Sequence, residues 1–126
     1  EHSLARENEI DIHQLKGEKF IGFEADVPSR QNVDAILKKY NVTVRTVMEF
    51  DNIETIKRAV EINAGLSILP KPCLRTELTT GTLAAIPFTN EHFYRPTGII
   101  IRKDKHLAKA ARYLIELLRK DFETEL

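Results

Sequence analysis

Apolar residues recur along the chain at periods close to two and then close to 3.6, and this alternation predicts strands followed by helices. "EKFIGF" is a short aliphatic and aromatic run of strand type, and "EADVPSR" after it carries the proline and serine expected where a strand turns into a helix, with Ser29 as the N-cap. In "SRQNVDAILKKYN", Val33, Ile36, Leu37 and Tyr40 fall on one helical stripe, which Asn41 ends. "VTVRTVMEF" is a strand with Val42, Val44, Thr46, Met48 and Phe50 on one face. Asp51 or Asn52 caps the next helix, and Asp51 with Glu54 has the spacing of a capping box. Ile53, Ile56 and Val60 form the buried stripe of that helix and Lys57, Arg58 and Glu61 its wet face.

Gly65 closes this helical region, and "LSIL" suits a strand buried on both faces that Pro70 stops. "KPCLRTELTTG" reads as a short helix with Pro72 near its start and Gly81 just past its end. "TLAAIPF" is a weak strand, "NEHFYRP" a loop and "TGIIIRK" a stronger strand. A last helix is expected from Leu107 to Phe122, and its apolar residues, Leu107 through Leu118 to Phe122, cover more than the stripe of about 100° that an ordinary surface helix buries. The expected fold class is α/β, a mostly parallel sheet flanked by helices.

With 126 residues the chain has the size of one domain and buries a real core. Nineteen Lys and Arg balance nineteen Asp and Glu, so no global positive field draws nucleic acid or an anionic membrane surface to this chain. Cys73 is the single cysteine, which excludes an internal disulfide and a thiolate-based zinc site and fits a reducing cytoplasm. No apolar run approaches the roughly 18 to 20 residues of a membrane span. "EHSLARENE" lacks the apolar core of a signal peptide, and the absence of an initial methionine leads us to expect a piece of something larger.

In a parallel α/β sheet, ligands gather at the carboxyl ends of the strands, which here selects the turns "EADVPSR" and "EFDNIET". Free N–H groups at a helix start hold anions, and Ser29, Arg30 and Asn52 could add side-chain donors. The competing reading is that Ser29 and Asp51 only cap their own helices, and Glu49 and Asp51 would repel an anion. His2, His13, His92 and His106 lack the spacings of a metal site, so no metal is expected. Cys73 has no histidine near it in the pattern to activate it, and the dispersed glycines form neither a nucleophile elbow nor a phosphate loop. No catalysis and no cofactor are expected.

The chain resembles the C-terminal part of the effector-binding domain of LysR-type transcriptional regulators. The resemblance rests on five stretches in order: "EHSLARENEIDIHQLKGEKFIGF", similar to the family's H-P-L-A followed by D-L and a strand, "MEFDNIETIKRAVEINAGLSILP", "TTGTLAAIPF", "RPTGIIIRK" and "LAKAARYLIELLRK". Ser3 stands where proline is usual and Gln14 where aspartate is usual. The resemblance implies a fold like a type 2 periplasmic binding protein, with two lobes and a ligand cleft between them. Residues 1–17 would connect from a first lobe, 18–94 would form the second lobe, and 95–126 would return a strand and a helix to the first. It also implies cleft residues Glu24, Ala25, Asp26 and Ser29 from the first turn, Asp51, Asn52 and Ile53 from the second, and Leu69 and Pro70 from the end of "LSILP".

The function expected from the resemblance is a non-enzymatic sensor. A small, anionic effector would shift a homo-oligomer between two arrangements, and DNA would be touched only by a separate N-terminal domain. The competing expectations are a lobe of a solute-binding protein, a lobe of a small-molecule enzyme, or a chain that mainly self-associates through its last helix.

Overall fold

A computed structural model describes residues 2–89, 93, 98–104 and 106–124, the last five of these by backbone only. The chain divides into two units, Glu1–Phe93 and Tyr94–Leu126. In the first unit, β1 (Lys19–Phe23), α1 (Pro28–Lys39), β2 (Arg45–Phe50) and α2 (Ile53–Glu61) follow one another, and a 3₁₀ turn at Lys71–Leu74 leads into α3 (Arg75–Thr80). The strands β1 and β2 run parallel, with Lys19 opposite Arg45 and Phe23 opposite Phe50. A parallel pair needs a crossover, and α1 supplies it. Phe20, Ile21 and Phe23 are all buried, so β1 is covered on both faces, and α1 and α2 both pack on it.

Of the face expected along "VTVRTVMEF", Val42, Val44 and Phe50 meet the core. The register shifts between Phe20 and Ile21, which oppose Thr46 and Met48, so Val47 is passed over. One extra residue breaks the period of two. Val42 is buried and Phe50 packs on the core, while Val47 and Met48 are each 40% exposed.

Both helices end as their asparagines dictate. Asn41 (φ 53°) and Asn63 (φ 61°) take the left-handed conformation. The next amides reach back, Val42 to the Leu37 carbonyl at 2.9 Å and Ala64 to the Ala59 carbonyl at 3.1 Å, which is the Schellman arrangement. Gly65, expected to close the helical region, instead lets the chain approach β1: a Cβ there would stand 2.7 Å from the Lys19 carbonyl oxygen.

"LSIL" and "TLAAIPF" are not strands. Leu66 makes one parallel bridge to Phe20, and Phe88 one to Ile10. Pro70 and Pro87 have no amide hydrogen to extend either ladder. The N-terminal stretch contributes Ile12, fully buried, and Leu15 to the core. Gln14 has a local use there, since its Oε1 accepts the Asp11 amide at 2.8 Å in a capping box.

Lys57, expected on the wet face of α2, is buried. Its Nζ lies 2.8 Å from Glu77 of α3, 2.8 Å from Glu54, and donates to the Cys73 carbonyl at 3.2 Å. The hydrogen bond from Lys57 holds the Glu77 carboxyl below its ordinary pKa against the opposing effect of desolvation.

In the second unit, α4 spans Lys109–Thr124, with Tyr113, Leu114, Leu117 and Leu118 exposed. The strand expected at "TGIIIRK" is absent among the described residues, and Ile100 is 96% exposed. A lone strand has no neighbour to receive its backbone bonds. The expected place of Phe122 in the apolar stripe and most of the loop "NEHFYRP" lie outside the described residues. Among the described residues no helix is long and apolar enough to cross a membrane.

Candidate functional site

The carboxyl ends of β1 and β2 lie side by side. Glu24 N–H donates to the Phe50 carbonyl at 3.0 Å, one rung beyond the last strand pair, and this rung brings the two turns selected from the sequence to one end of the sheet. The first turn closes with Val27 N–H on the Glu24 carbonyl at 3.1 Å. There α1 begins at Pro28, whose fixed φ suits a first helical position, and its N-cap is Val27, with no side-chain bond. Ser29 therefore lies inside the first turn of α1 and is not the cap expected.

At the head of α2 the cap is Asn52. Its Oδ1 accepts from Thr55 N and from Thr55 Oγ1, both at 2.9 Å, and its Nδ2 donates to Asp51 at 2.7 Å. The expected Asp51–Glu54 capping box does not form, because Asn52 takes the cap position and Glu54 turns to Lys57.

Of the residues expected to line a cleft, Glu24, Ala25, Asp26, Asp51 and Asn52 are exposed, and Ser29, Ile53, Leu69 and Pro70 are half-buried. Leu66 makes a single parallel bridge to Phe20, and Leu69 and Pro70 follow it outside any strand. Arg30 stands between the two turns. Its Nη1 donates to the Phe23 carbonyl at 2.8 Å and to Glu49, and its Nε donates to both oxygens of Asp34 at 2.9 and 2.8 Å. Glu49 and then Asp34 hold the guanidinium pKa above its ordinary value. Arg30 thus has its Nε and Nη1 donors engaged within the fold.

A cavity of about 400 Å³ opens elsewhere, lined among others by His2, Leu4, Val60, Glu61, Ser67, Leu69, Thr82 and Phe88. Leu69 is its only residue in common with the expected cleft set. Sequence reasoning missed it, since its walls come from separate segments that no motif joins. Glu61 marks its polar edge, where Thr82 Oγ1 at 2.8 Å and Arg58 at 2.7 Å hold the carboxyl below its ordinary pKa.

Among the described residues no group of three or more His, Cys, Asp or Glu is arranged to hold a metal. His13 is engaged with Asp11 at 2.6 Å and His2 with Glu18 at 3.3 Å. Exposed carboxylates, a capped helix head and backbone amides are means of non-covalent recognition.

The fold is α/β and matches that of a solved regulatory domain. A solved structure described as the Synechocystis PCC6803 CcmR regulatory domain in complex with 2-PG matches 94% of this chain and 57% of that one, with a TM-score of 0.72 at 23% identity. The family model for the LysR substrate binding domain matches residues 1–123, and the chain belongs to that family.

Its relatives are named as transcriptional regulators. The HTH-type transcriptional regulator CbbR of Rhodospirillum rubrum is 28% identical over 87% of this chain and 37% of its own length. The probable RuBisCO transcriptional regulator of Synechocystis is 26% identical over 98% of this chain and 36% of its own length. The chain therefore spans little more than a third of the curated relatives it matches.

Proposed function

We propose that this chain is the effector-sensing part of a LysR-type transcriptional regulator and has no enzymatic role. A small anionic metabolite binds between this lobe and another, against Glu24, Ala25, Asp26, Ser29, Asp51, Asn52, Ile53, Leu69 and Pro70. Binding favours one of two arrangements of a cytoplasmic homo-oligomer, and an effector acts only through such a difference in affinity. DNA is touched by a separate N-terminal domain. Residues 1–17 connect the lobes, 18–94 form this one, and 95–126 return to the other.

The observation that carries the reading is the Glu24 to Phe50 rung, which sets the heads of α1 and α2 together at the carboxyl end of parallel strands. Arg30 has its Nε and Nη1 donors engaged by the fold, so the donors this lobe offers an anion include the backbone N–H groups of the two turns and the Ser29 hydroxyl.

The test is titration of the protein at its natural length with 2-PG, inorganic phosphate and a panel of small carboxylates, followed by amide resonances. Shifts at residues 24–29 and 51–53 are expected for the effector. Shifts confined to residues around the 400 Å³ cavity, Val60 to Ser67 and Thr82 to Phe88, would refute the cleft assignment.

A further inference from the structure

The guanidinium of Arg30 meets acceptors from three elements at once: the last carbonyl of β1 at Phe23, the carboxylate of Glu49 on β2, and both oxygens of Asp34 on α1. Its side chain is 28% exposed, so it is partly withdrawn from solvent. Each acceptor lies close to a turn that the proposed cleft uses. Phe23 precedes Glu24, Glu49 lies two residues before Asp51, and Asp34 fixes the arginine to the first turns of α1.

We infer that Arg30 is a positioning residue of the cleft rim: it couples the turn after β1 to the turn after β2 and sets their spacing without itself contacting the effector. The inference rests on the proposed cleft for its functional meaning, while its mechanical content depends only on the contacts of Arg30. Through Nε and Nη1 the planar guanidinium holds a carbonyl and two carboxylates together, and a lysine ammonium reproduces the charge but not this geometry. Without Arg30, the exposed carboxylates of Glu49 and Asp34 lose the partner they share, and the Glu24 to Phe50 rung is left to join the turns. The Nε and Nη1 donors of Arg30 are engaged inside the lobe, so recognition of an anion on this side falls to the turn backbones, against the repulsion of Glu24, Asp26 and Asp51.

Hydrogen–deuterium exchange by mass spectrometry on the natural-length protein, without effector, tests this with Arg30→Gln, Arg30→Lys and the milder Glu49→Gln. In Arg30→Gln, peptides covering Glu24–Val27 and Glu49–Asn52 exchange about tenfold faster, as expected for losing a charge-assisted bond at a local opening. Peptides over Ile21 and Leu66, which share the neighbouring rungs, keep their rates. Arg30→Lys recovers part of the protection, and Glu49→Gln loosens the second turn more than the first. If Arg30→Gln does not fold, Glu49→Gln decides alone. Unchanged rates in both turns would overturn the inference, as would equal acceleration of the turns and the Ile21–Leu66 region, which is the mark of a merely structural residue. Because no effector enters the measurement, its outcome is separate from that of the effector titration.

Discussion

Replacing Gly65 by alanine probes how closely the segment at Gly65 and Leu66 must approach β1. The added Cβ would lie 2.7 Å from the Lys19 carbonyl oxygen, 3.0 Å from its carbon and 3.4 Å from Cγ1 of Ile21. The obstacle is backbone, which cannot swing aside, and an ordinary carbon–oxygen contact begins near 3.3 Å, so the segment must retreat by about 0.6 Å. Two rungs flank the contact, Leu66 N–H to the Lys19 carbonyl and Ile21 N–H to the Leu66 carbonyl, each 2.8 Å. A retreat of that size stretches both beyond the usual range, for a loss of about 1 kcal/mol each. Alanine returns roughly 0.4–1 kcal/mol by restricting the unfolded chain, which leaves a net destabilisation of about 1–1.5 kcal/mol.

Urea unfolding reads this as a lower midpoint at unchanged slope, with faster amide exchange at Leu66 and Ile21. Gly81→Ala is the control. Its Cβ meets nothing within 4 Å, but φ is +71°, so it costs about 1 kcal/mol by conformation and leaves the two rungs protected. A Gly65→Ala protein as stable as the parent, or one whose Leu66 amide stays protected, would show that the approach to Lys19 does not constrain this lobe.

Further outcomes follow from the core, the cap and the buried ion pair. Ile56 is fully buried, and its truncation to alanine should cost about 2–5 kcal/mol and to valine about 0.5–1.5 kcal/mol in the same unfolding assay. Equal effects would mean that the site collapses freely. Asn52→Ala should cost about 1 kcal/mol while Asn52→Asp stays close to the parent, measured by thermal unfolding, because the Thr55 amide needs an acceptor. Glu77 has a folded-state pKa below its ordinary value of 4.5, so its stabilisation is present above that pH and is lost as pH falls through the lower, folded-state value. The urea midpoint should therefore fall on acidification below that point, and a Glu77→Gln protein should show a flatter profile; matching profiles would remove Glu77 from the account. Lys57→Met should unfold more easily than the double variant Lys57→Met, Glu77→Leu, since the single change strands a buried carboxylate.

The helices were legible because their signals are local. Val33 and Leu37 of α1 are buried, Ile36 and Tyr40 pack beside them, and Asn41 ends the helix as its tolerance of positive φ allows. Both strands of the sheet were found, but the passing over of Val47 was not, because an extra residue leaves no mark in an apolar run. Lys57 was misplaced for a tertiary reason: its partner Glu77 lies on another helix, beyond the reach of a periodicity argument. "LSIL" and "TGIIIRK" have strand composition, yet composition cannot supply a neighbouring ladder. The turns of the candidate site were selected by the strand-end rule, and the Glu24 to Phe50 rung does join them. What the sequence could not show is that Arg30, a free positive charge on paper, is claimed by Phe23, Asp34 and Glu49.

The bridge between Ile10 and Phe88 has a bearing on how the lobe is made. Ile10 N–H bonds to the Pro87 carbonyl at 3.0 Å, and Thr89 N–H bonds to the Ile10 carbonyl at 2.9 Å. These contacts join residues 77 and 79 positions apart. At a synthesis rate of roughly 5–20 residues per second, the partner of Ile10 leaves the ribosome several seconds after it. The β1–α1–β2–α2 block can pair and pack in that interval, because its contacts are nearer in sequence and cost less chain entropy to close. For those seconds the nascent lobe carries an unsealed flank, so a slow-translating stretch before Phe88 would lengthen its exposure to chaperones and proteases without altering one contact of the finished protein.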